Sequence, residues 1–391
     1  MHIYFDNAAT TKPHPDVIAT YNEVCNLHYA NSNSSHALGF ASHERLRAKA
    51  DDIAGLVGNG TRVMFTSGAT EANSLAILGA LYRMGLQKTQ RHQRIITSPC
   101  EHSSVRRACR HLEELGHEVV YLSHDQNGAI SIDELSKFLD EGSVRTSLVS
   151  LMHVNNETGV VTDVSQVKKL VRAKSDALLH VDGVAGFGKV RLNALPDLYT
   201  ITAHKLHGLK GIGALVLGEG ARLRSIGAFL DVPTLPGAMP IRPGTQDVAG
   251  AAAFAVAAKL AFANIQNRHV HQLRQYIAEE SAQLGCEING AGQVSPYIIN
   301  ISPYGVKAET LLNLLSDKGI CVSAGSSCNS RQPERNILRH YGYSTERTQS
   351  SIRISFTWCN TMDEAKEFIE QLKAALEHLR KFGNKGKKKY I

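Results

Sequence analysis

The chain has 391 residues, 43% of them hydrophobic, and carries a formal net charge of +7 at pH 7. This length and composition allow a large α/β domain with a smaller second domain, and they exclude a disordered or fibrous chain. Seven cysteines without a C-x-x-C pair favour neither a disulfide framework nor a zinc site, so we expect reduced thiols, no metal and a cytoplasmic location.

The first half of the chain alternates short apolar runs with helical patterns. An extended segment at 3–11 and a helix at 16–26 precede a small-residue loop at 31–39 and a helix at 40–57. Strands are then predicted at 63–66, 94–97, 118–122, 147–152, 178–181, 197–202 and 212–217, and helices at 72–82, 103–115, 133–139 and 165–173. This α/β alternation predicts a mostly parallel central sheet with helices on both faces.

The second half predicts a smaller α+β domain. An alanine-rich stretch at 248–284 predicts one long helix or two abutting ones. Strands are predicted at 297–301, 320–323 and 351–356, and helices at 307–317, 333–341 and 362–382. We therefore place a large domain at 15–255 and a small domain at 1–14 and 256–391, which carries a mobile loop at about 323–335.

We expect no signal peptide, no membrane-spanning segment and no segment that binds nucleic acid. The N-terminus lacks the basic and apolar runs of a signal peptide, and no apolar span reaches about 18 residues, so we expect no membrane contact. The lysine-rich segment at 386–391 reads as a solvated terminus, so we expect no direct binding of nucleic acid.

Polar residues follow several of the predicted strands, and ligands bind at the carboxyl ends of strands in parallel sheets. The residues in these positions are Thr70, His102, Asn156, Asp182 and Lys205. A lysine that is partly desolvated there becomes a Schiff-base nucleophile. The glycine-containing turn at 67–71, between a strand and a helix, presents backbone N–H groups to a phosphate. Taken singly, each residue also fits an ordinary role, such as a solvated lysine or a helix cap.

Four motifs occur together in one order: Tyr-Phe-Asp-Asn-Ala-Ala-Thr-Thr at 4–11, His-Val-Asp at 180–182, Ala-His-Lys at 203–205 and Ser-Ser-Ile-Arg-Ile-Ser at 350–355. With them the chain resembles, over nearly its whole length, the cysteine desulfurases of class V aminotransferase type. The resemblance implies the fold type I of pyridoxal 5'-phosphate (PLP)-dependent transferases. It also implies that L-cysteine is converted to L-alanine and that a cysteine persulfide is passed to a sulfur acceptor.

The resemblance assigns a role to each matched residue. Lys205 would bind the cofactor covalently, Asp182 would hold the pyridine nitrogen protonated, and His102 would stack on the ring and move protons. Cys328, in a run of small residues, would be the attacking thiolate on a loop of the long-loop group, which is similar to the bacterial NifS/IscS-like desulfurases. The resemblance also implies that Asn156 contacts the ring edge or the substrate and that Arg353 binds the substrate carboxylate. The residues that it implies at the phosphate are Ala69, Thr70, Thr202, Ala203, His204 and, from a neighbouring subunit, Thr245.

The same resemblance implies a homodimer and a protein that accepts sulfur, a scaffold or a tRNA-thiolation protein. The sulfur would serve iron–sulfur cluster assembly, tRNA thiolation or thio-cofactor synthesis. Two departures from the family pattern stand out: Ala185 replaces a glutamine that would donate to the cofactor phenolate, and a glycine-rich run before Arg242 is absent. Two alternatives therefore stay open, a related PLP lyase or aminotransferase in which Cys328 is incidental, and a weakly active homologue that acts as a scaffold or regulatory partner.

Overall fold

A seven-stranded sheet forms the centre of the larger part of the chain. The structure is a computed structural model, which describes residues 2–82, 92–221, 223, 242–265, 267–324 and 336–387. The strand order of the sheet is β2-β8-β7-β6-β5-β3-β4. The strands are β2 (Arg62–Thr66), β3 (Arg94–Thr97), β4 (Glu118–Tyr121), β5 (Thr146–Met152), β6 (Leu178–Asp182), β7 (Leu198–Thr202) and β8 (Gly213–Leu217).

Strands β3 to β7 pair in parallel, which confirms the predicted mostly parallel sheet. Strand β8 is the exception, because it runs antiparallel to both β2 and β7. The link between Thr202 and Gly213 contains no helix, and a parallel return needs a crossover of a dozen or more residues. The antiparallel hairpin holds Lys205 in its link, at the carboxyl end of β7.

Helices cover both faces of this sheet. They are α1 (Pro15–Leu27), α2 (Ala37–Val57), α3 (Ala69–Tyr82), α4 (Ser103–Glu114), α5 (Ile132–Asp140) and α6 (Val164–Lys174). Helix α2 begins three residues before its predicted start because the His36 side chain accepts a hydrogen bond from the Gly39 N–H at 3.2 Å. Histidine is an uncommon N-cap, so the sequence pattern did not indicate this start.

The alanine-rich stretch forms two helices, α7 (Val248–Ala263) and α8 (Arg268–Gln283), which meet at 70°. Helix α7 is buried over most of its length, and Asn267 caps α8 through the His269 N–H. This outcome is the second of the two predicted forms. Among the described residues no single helix has the length and apolarity to cross a bilayer, although the bent α7 and α8 pair together meets that test on length and composition.

A second, smaller sheet carries the C-terminal part. This sheet has three antiparallel strands, β9 (Cys286–Asn289), β10 (Ile298–Pro303) and β12 (Ile352–Ser355). A separate two-stranded sheet pairs β1 (Ile3–Tyr4) in parallel with β11 (Ile320–Cys321). The accompanying helices are α9 (Ala308–Asp317), α10 (Ile337–His340), α11 (Thr345–Ser350) and α12 (Met362–Lys387).

Two hydrophobic clusters pack on the seven-stranded sheet and a third packs on the three-stranded sheet. The division at 15–255 and at 1–14 with 256–391 stays a prediction, and Ala258 and Ala261 of α7 belong to a cluster of the seven-stranded sheet. Strand β9 and helix α11 were not predicted, and strand β11 ends two residues earlier than expected. The predicted helix at 333–341 is described only from Asn336 onward. Most of the predicted loop at 323–335, with Cys328, lies outside the described residues.

Candidate active site

A cavity of about 510 Å³ opens at the carboxyl ends of β5, β6 and β7. The structure brings most of the predicted site residues to it: Ala69, Thr70, His102, Asn156, Asp182, Thr202, His204 and Lys205 all line this space. Residues far apart in the sequence therefore share one site, as the strand-end argument requires.

Lys205 supplies a buried amine to this cavity. The residue is only 9% exposed. Burial, and then the positive charge of Arg353, lower the pKa of the Lys205 amine from 10.5 to about 8. Neutral amine is therefore available near neutral pH, and neutral amine is the form that attacks a carbonyl.

Asp182 lies opposite, at the end of β6, and its carboxylate is fixed by two donors. Its Oδ2 accepts a 2.9 Å hydrogen bond from the Asn73 side-chain amide, and its Oδ1 accepts one of 3.0 Å from the Val184 N–H. Asn73 is fully buried on α3 and also donates to the Ser104 hydroxyl at 2.9 Å. Asn73 was not predicted as a site residue; it is the fifth residue of α3 and lies three residues after Thr70, just after the first turn of that helix.

The turn from 67 to 71 and the start of α3 form a cradle for an anion. The N–H groups of Ala69 and Thr70 belong to the first helical turn, where a helix offers no internal acceptors. A Cβ on Gly213 would lie 2.8 Å from the backbone of Gly68, so only glycine lets β8 approach the turn this closely. Glu71 accepts hydrogen bonds of 2.6 Å from the Ser67 N–H and hydroxyl, which holds the turn closed.

The donors of two predicted phosphate-binding residues are already engaged within the chain. The Thr202 hydroxyl donates to the Ile212 carbonyl at 3.2 Å, and the Ala203 N–H donates to the same carbonyl at 3.3 Å. Ala203 is fully buried and does not line the cavity. The α3 cradle keeps its donors available for a phosphate, and His204 and Lys210 also line the cavity.

Two histidines flank the cavity in neutral form. His102 caps α4 by accepting the Ser104 N–H on Nδ1 at 3.2 Å, which leaves the proton on Nε2. Burial lowers the pKa of His102, with Lys205 and two arginines adding to the effect against the opposing charge of Asp182. Burial and the charge of Lys205 lower the pKa of His204 to about 4, and its Nδ1 lies 3.3 Å from the Thr10 hydroxyl.

Arg353 is 5% exposed and stands beside the cavity rather than in its wall. Its Nη1 donates to the Asn156 carbonyl at 2.9 Å, and its Nη2 donates to the Asp6 carboxylate at 2.7 Å. Asp6 was not predicted as a site residue, and no local pattern links it to a strand 347 positions later.

These groups fit PLP. Lys205 would hold the cofactor covalently, the Asp182 carboxylate would hold the pyridine nitrogen, and the α3 cradle would hold the phosphate. Ala185, which lines the cavity and is 6% exposed, presents no donor to the phenolate oxygen. Thr245 is exposed and does not line the cavity of its own chain. Cys328 lies outside the described residues.

Comparisons with known proteins agree with this site. The aminotransferase class-V family matches residues 3–368. A cysteine desulfurase of Nostoc sp. (strain PCC 7120) is 34% identical over 391 residues, which cover 97% of this chain and 94% of that protein. Cysteine desulfurase IscS of Colwellia psychrerythraea (strain 34H) is 36% identical, with 97% and 93% covered. A solved NifS-like protein superposes with a TM-score of 0.84 at 29% identity, covering 97% of this chain and all of that chain.

Proposed function

Because the chain belongs to the class-V aminotransferase family, we propose that it is a PLP-dependent cysteine desulfurase, which converts L-cysteine to L-alanine and retains the sulfur as a persulfide. The observation that carries this proposal is the placement of Lys205 and Asp182 in one cavity beside an anion cradle. A lysine, a buried carboxylate and a phosphate site are the three groups that PLP chemistry needs from a protein.

When bound, the cofactor supplies an electron sink for the charge that develops at the substrate α-carbon. Lys205 would hold the cofactor covalently, and its amine would take the α-proton from the substrate and return a proton to the product. Asp182, oriented by Asn73, keeps a proton at the pyridine nitrogen. His102 carries a proton on Nε2 at the cavity wall and donates it where negative charge develops.

Sulfur leaves the substrate by attack of a thiolate, which we assign to Cys328. The thiolate forms an S–S bond with the substrate sulfur, the C–S bond breaks, and its electron pair stays with the carbon, which is then protonated to give alanine. Support comes from Ser323, the first residue of the predicted loop at about 323–335. The Ser323 N–H donates to the Arg353 carbonyl at 3.1 Å and the Ser323 carbonyl accepts from the Arg353 N–H at 2.6 Å, so this residue lies beside Arg353, the proposed partner of the substrate carboxylate.

We also propose that the protein is a homodimer in the cytoplasm. It would pass sulfur to a protein acceptor that serves iron–sulfur cluster assembly, tRNA thiolation or thio-cofactor synthesis. Thr245 is exposed and is not among the residues that line the cavity of its own chain, which supports a role at the phosphate of a neighbouring subunit. The six described cysteines are unpaired, which supports a reducing compartment.

Product analysis tests the proposed function. The PLP-loaded protein, given L-cysteine and a thiol reductant, should form L-alanine and sulfide in equal amounts. Lys205→Ala should abolish both products, whereas the control Lys366→Ala, on the exposed face of α12, should leave them unchanged. A loaded protein that forms keto acid, or that leaves L-cysteine intact, would sink the proposal.

A further inference from the structure

The N-terminal strap, residues 3–14, ties the two sides of the active site together. On the small-domain side, Ile3 pairs with Ile320, and the Ala8 N–H donates to the Ser355 hydroxyl at 2.8 Å. On the side of the Lys205 link, the Thr11 N–H donates to the His204 carbonyl at 2.8 Å. The strap is therefore held at both ends, and Asp6 lies between them.

Asp6 contacts the buried guanidinium of Arg353 from this fixed position. The Asp6 Oδ1 to Arg353 Nη2 distance is 2.7 Å, and the Arg353 side chain is 7% exposed. The Asn156 carbonyl accepts from Nη1 at 2.9 Å. The Asp6 carboxylate and the Asn156 carbonyl belong to different segments of the chain and accept from Nη2 and Nη1 respectively, so together they fix the plane of the guanidinium.

The Nε edge of the same guanidinium is unused. The Arg353 Nε is buried and has no hydrogen-bond partner among the described residues. A guanidinium has five N–H donors, and Nε and Nη2 each direct one N–H along the same edge. Asp6 accepts from Nη2, which carries two N–H groups, so the Nε N–H and one N–H of Nη2 have no partner among the described residues, and a carboxylate can accept from both. A buried donor left without a partner costs stability, and this cost is removed when a ligand accepts from it.

We propose that Asp6 is a positioning residue, which holds Arg353 so that its Nε and Nη2 edge receives the carboxylate of the amino-acid substrate. This inference rests on the proposed function, because it concerns the same substrate site. Asp6 does not touch the reacting atoms. It acts through Arg353, and its place in the strap connects that orientation to the Lys205 link.

Two effects of Asp6 oppose each other. Its negative charge repels a second carboxylate, whereas its acceptor oxygen orients the guanidinium. Asp6→Asn removes the charge and keeps an acceptor oxygen of the same shape, and Asp6→Ala removes both. If orientation dominates, Asp6→Ala weakens carboxylate binding and Asp6→Asn restores it.

Titration of the PLP-loaded protein with L-alanine and with ethylamine, which lacks the carboxylate, separates these cases through the change in cofactor absorbance. We expect Asp6→Ala to raise the Kd for L-alanine about tenfold, the loss of one charge-assisted hydrogen bond, and to leave the Kd for ethylamine within about twofold. Asp6→Asn should stay within about twofold of the wild type for both ligands. The matched control is Glu118→Gln, which breaks an ion pair to the buried Arg94 away from the cavity and should change neither Kd.

Equal weakening of L-alanine and ethylamine in Asp6→Ala would overturn the inference, because it would indicate a general loss of structure. Unchanged or tighter binding of L-alanine in Asp6→Ala would also overturn it. Should Asp6→Ala not fold, Asp6→Ser replaces it, since its hydroxyl is too short to reach the guanidinium. A wild-type protein that binds L-alanine but forms no alanine from L-cysteine contradicts the proposed function and leaves the role of Asp6 to be decided by the same titration.

Discussion

The side-chain amide of Asn73 donates a 2.9 Å hydrogen bond to the carboxylate of Asp182, and the two residues are both buried. Asn73 lies just after the first turn of α3, the helix whose N-terminus forms the anion cradle. One helix therefore supplies the cradle at its end and the donor that orients Asp182 on its inner face. The two proposed contacts to the cofactor, by Asp182 and by the cradle, therefore both depend on the position of α3.

Loss of this donor should disturb the carboxylate. In Asn73→Ala, Asp182 loses one of its two hydrogen bonds, so we expect kcat for L-cysteine to fall about tenfold, consistent with the loss of a charge-assisted hydrogen bond. Steady-state kinetics and the cofactor absorbance spectrum measure this effect. Ser74→Ala, one position along the same helix, is the control, because the Ser74 hydroxyl donates to the Thr70 carbonyl of its own helix. Equal losses in both variants would point to damage to α3 as a whole.

The lowered pKa of Lys205 predicts the pH dependence of cofactor capture. Burial, followed by the charge of Arg353, places that pKa at about 8, so half of the amine is neutral at that pH and the neutral fraction levels off only above it. We expect the rate at which the apoprotein captures PLP to follow this curve, with a plateau well below the pKa of about 10 of an ordinary lysine. Stopped-flow absorbance from about pH 6 to about pH 10 measures it. A rate that still climbs steeply above about pH 9 would contradict a desolvated lysine.

The same shift affects the stability of the apoprotein. The folded pKa of Lys205 lies below the unfolded one, so the unfolded chain binds more protons in the window between them. The contribution of Lys205 to the free energy of unfolding therefore rises with pH across that window. Lys205→Met should flatten this part of the curve in denaturant titrations at several pH values.

Gly213 should be essential for the anion cradle. A Cβ there would lie 2.8 Å from the Gly68 backbone and 2.8 Å from the Ile201 carbonyl, and both are backbone atoms that cannot swing aside. We expect Gly213→Ala to destabilise the fold by about 1–3 kcal/mol and to speed the loss of PLP on dialysis. Gly142→Ala is the control, since no atom lies within 4 Å of its added Cβ. Retention of PLP equal to the wild type would show that the cradle does not bind the phosphate.

Ala185 replaces a glutamine of the family pattern, and a single substitution restores that glutamine. The side chain lines the cavity, so a longer amide in its place faces the same space. Because an amide can donate to the phenolate oxygen, Ala185→Gln should lower the pH at which the bound cofactor changes its absorbance. Absorbance titration measures the midpoint, and Ala185→Leu controls for bulk. The same midpoint in the glutamine and leucine variants would mean that no donor reaches the phenolate.

Much of the large domain could be predicted because its signals are local. The alternation of apolar runs with helical patterns predicted the central sheet. The positions at the ends of strands predicted residues of the cavity wall, including Lys205 and Asp182. The match to NifS-like structures confirms the predicted PLP fold type I. The antiparallel β8 was not predicted, because alternation alone does not show that the link after Thr202 is too short for a crossover.

Residues that act through tertiary contact could not be predicted. Asn73 is one of several polar residues at the start of α3, and helical periodicity does not tell which of them meets Asp182. Asp6 and Arg353 are 347 positions apart, and only the pairing of the strap with the small domain brings them together. Strand β9 is four residues long and includes polar residues, so it gave little apolar signal.

We propose that Cys328 receives the substrate sulfur, and mass spectrometry of the PLP-loaded protein after brief exposure to L-cysteine without reductant tests this assignment. We expect the peptide that contains Cys328 to gain the mass of one sulfur atom. Cys328→Ala should form no such adduct and little alanine, whereas Cys359→Ala, which removes an exposed cysteine, should behave as the wild type. Alanine formation at the wild-type rate in Cys328→Ala, or a loaded protein that consumes L-cysteine without sulfur on Cys328, would contradict the claim.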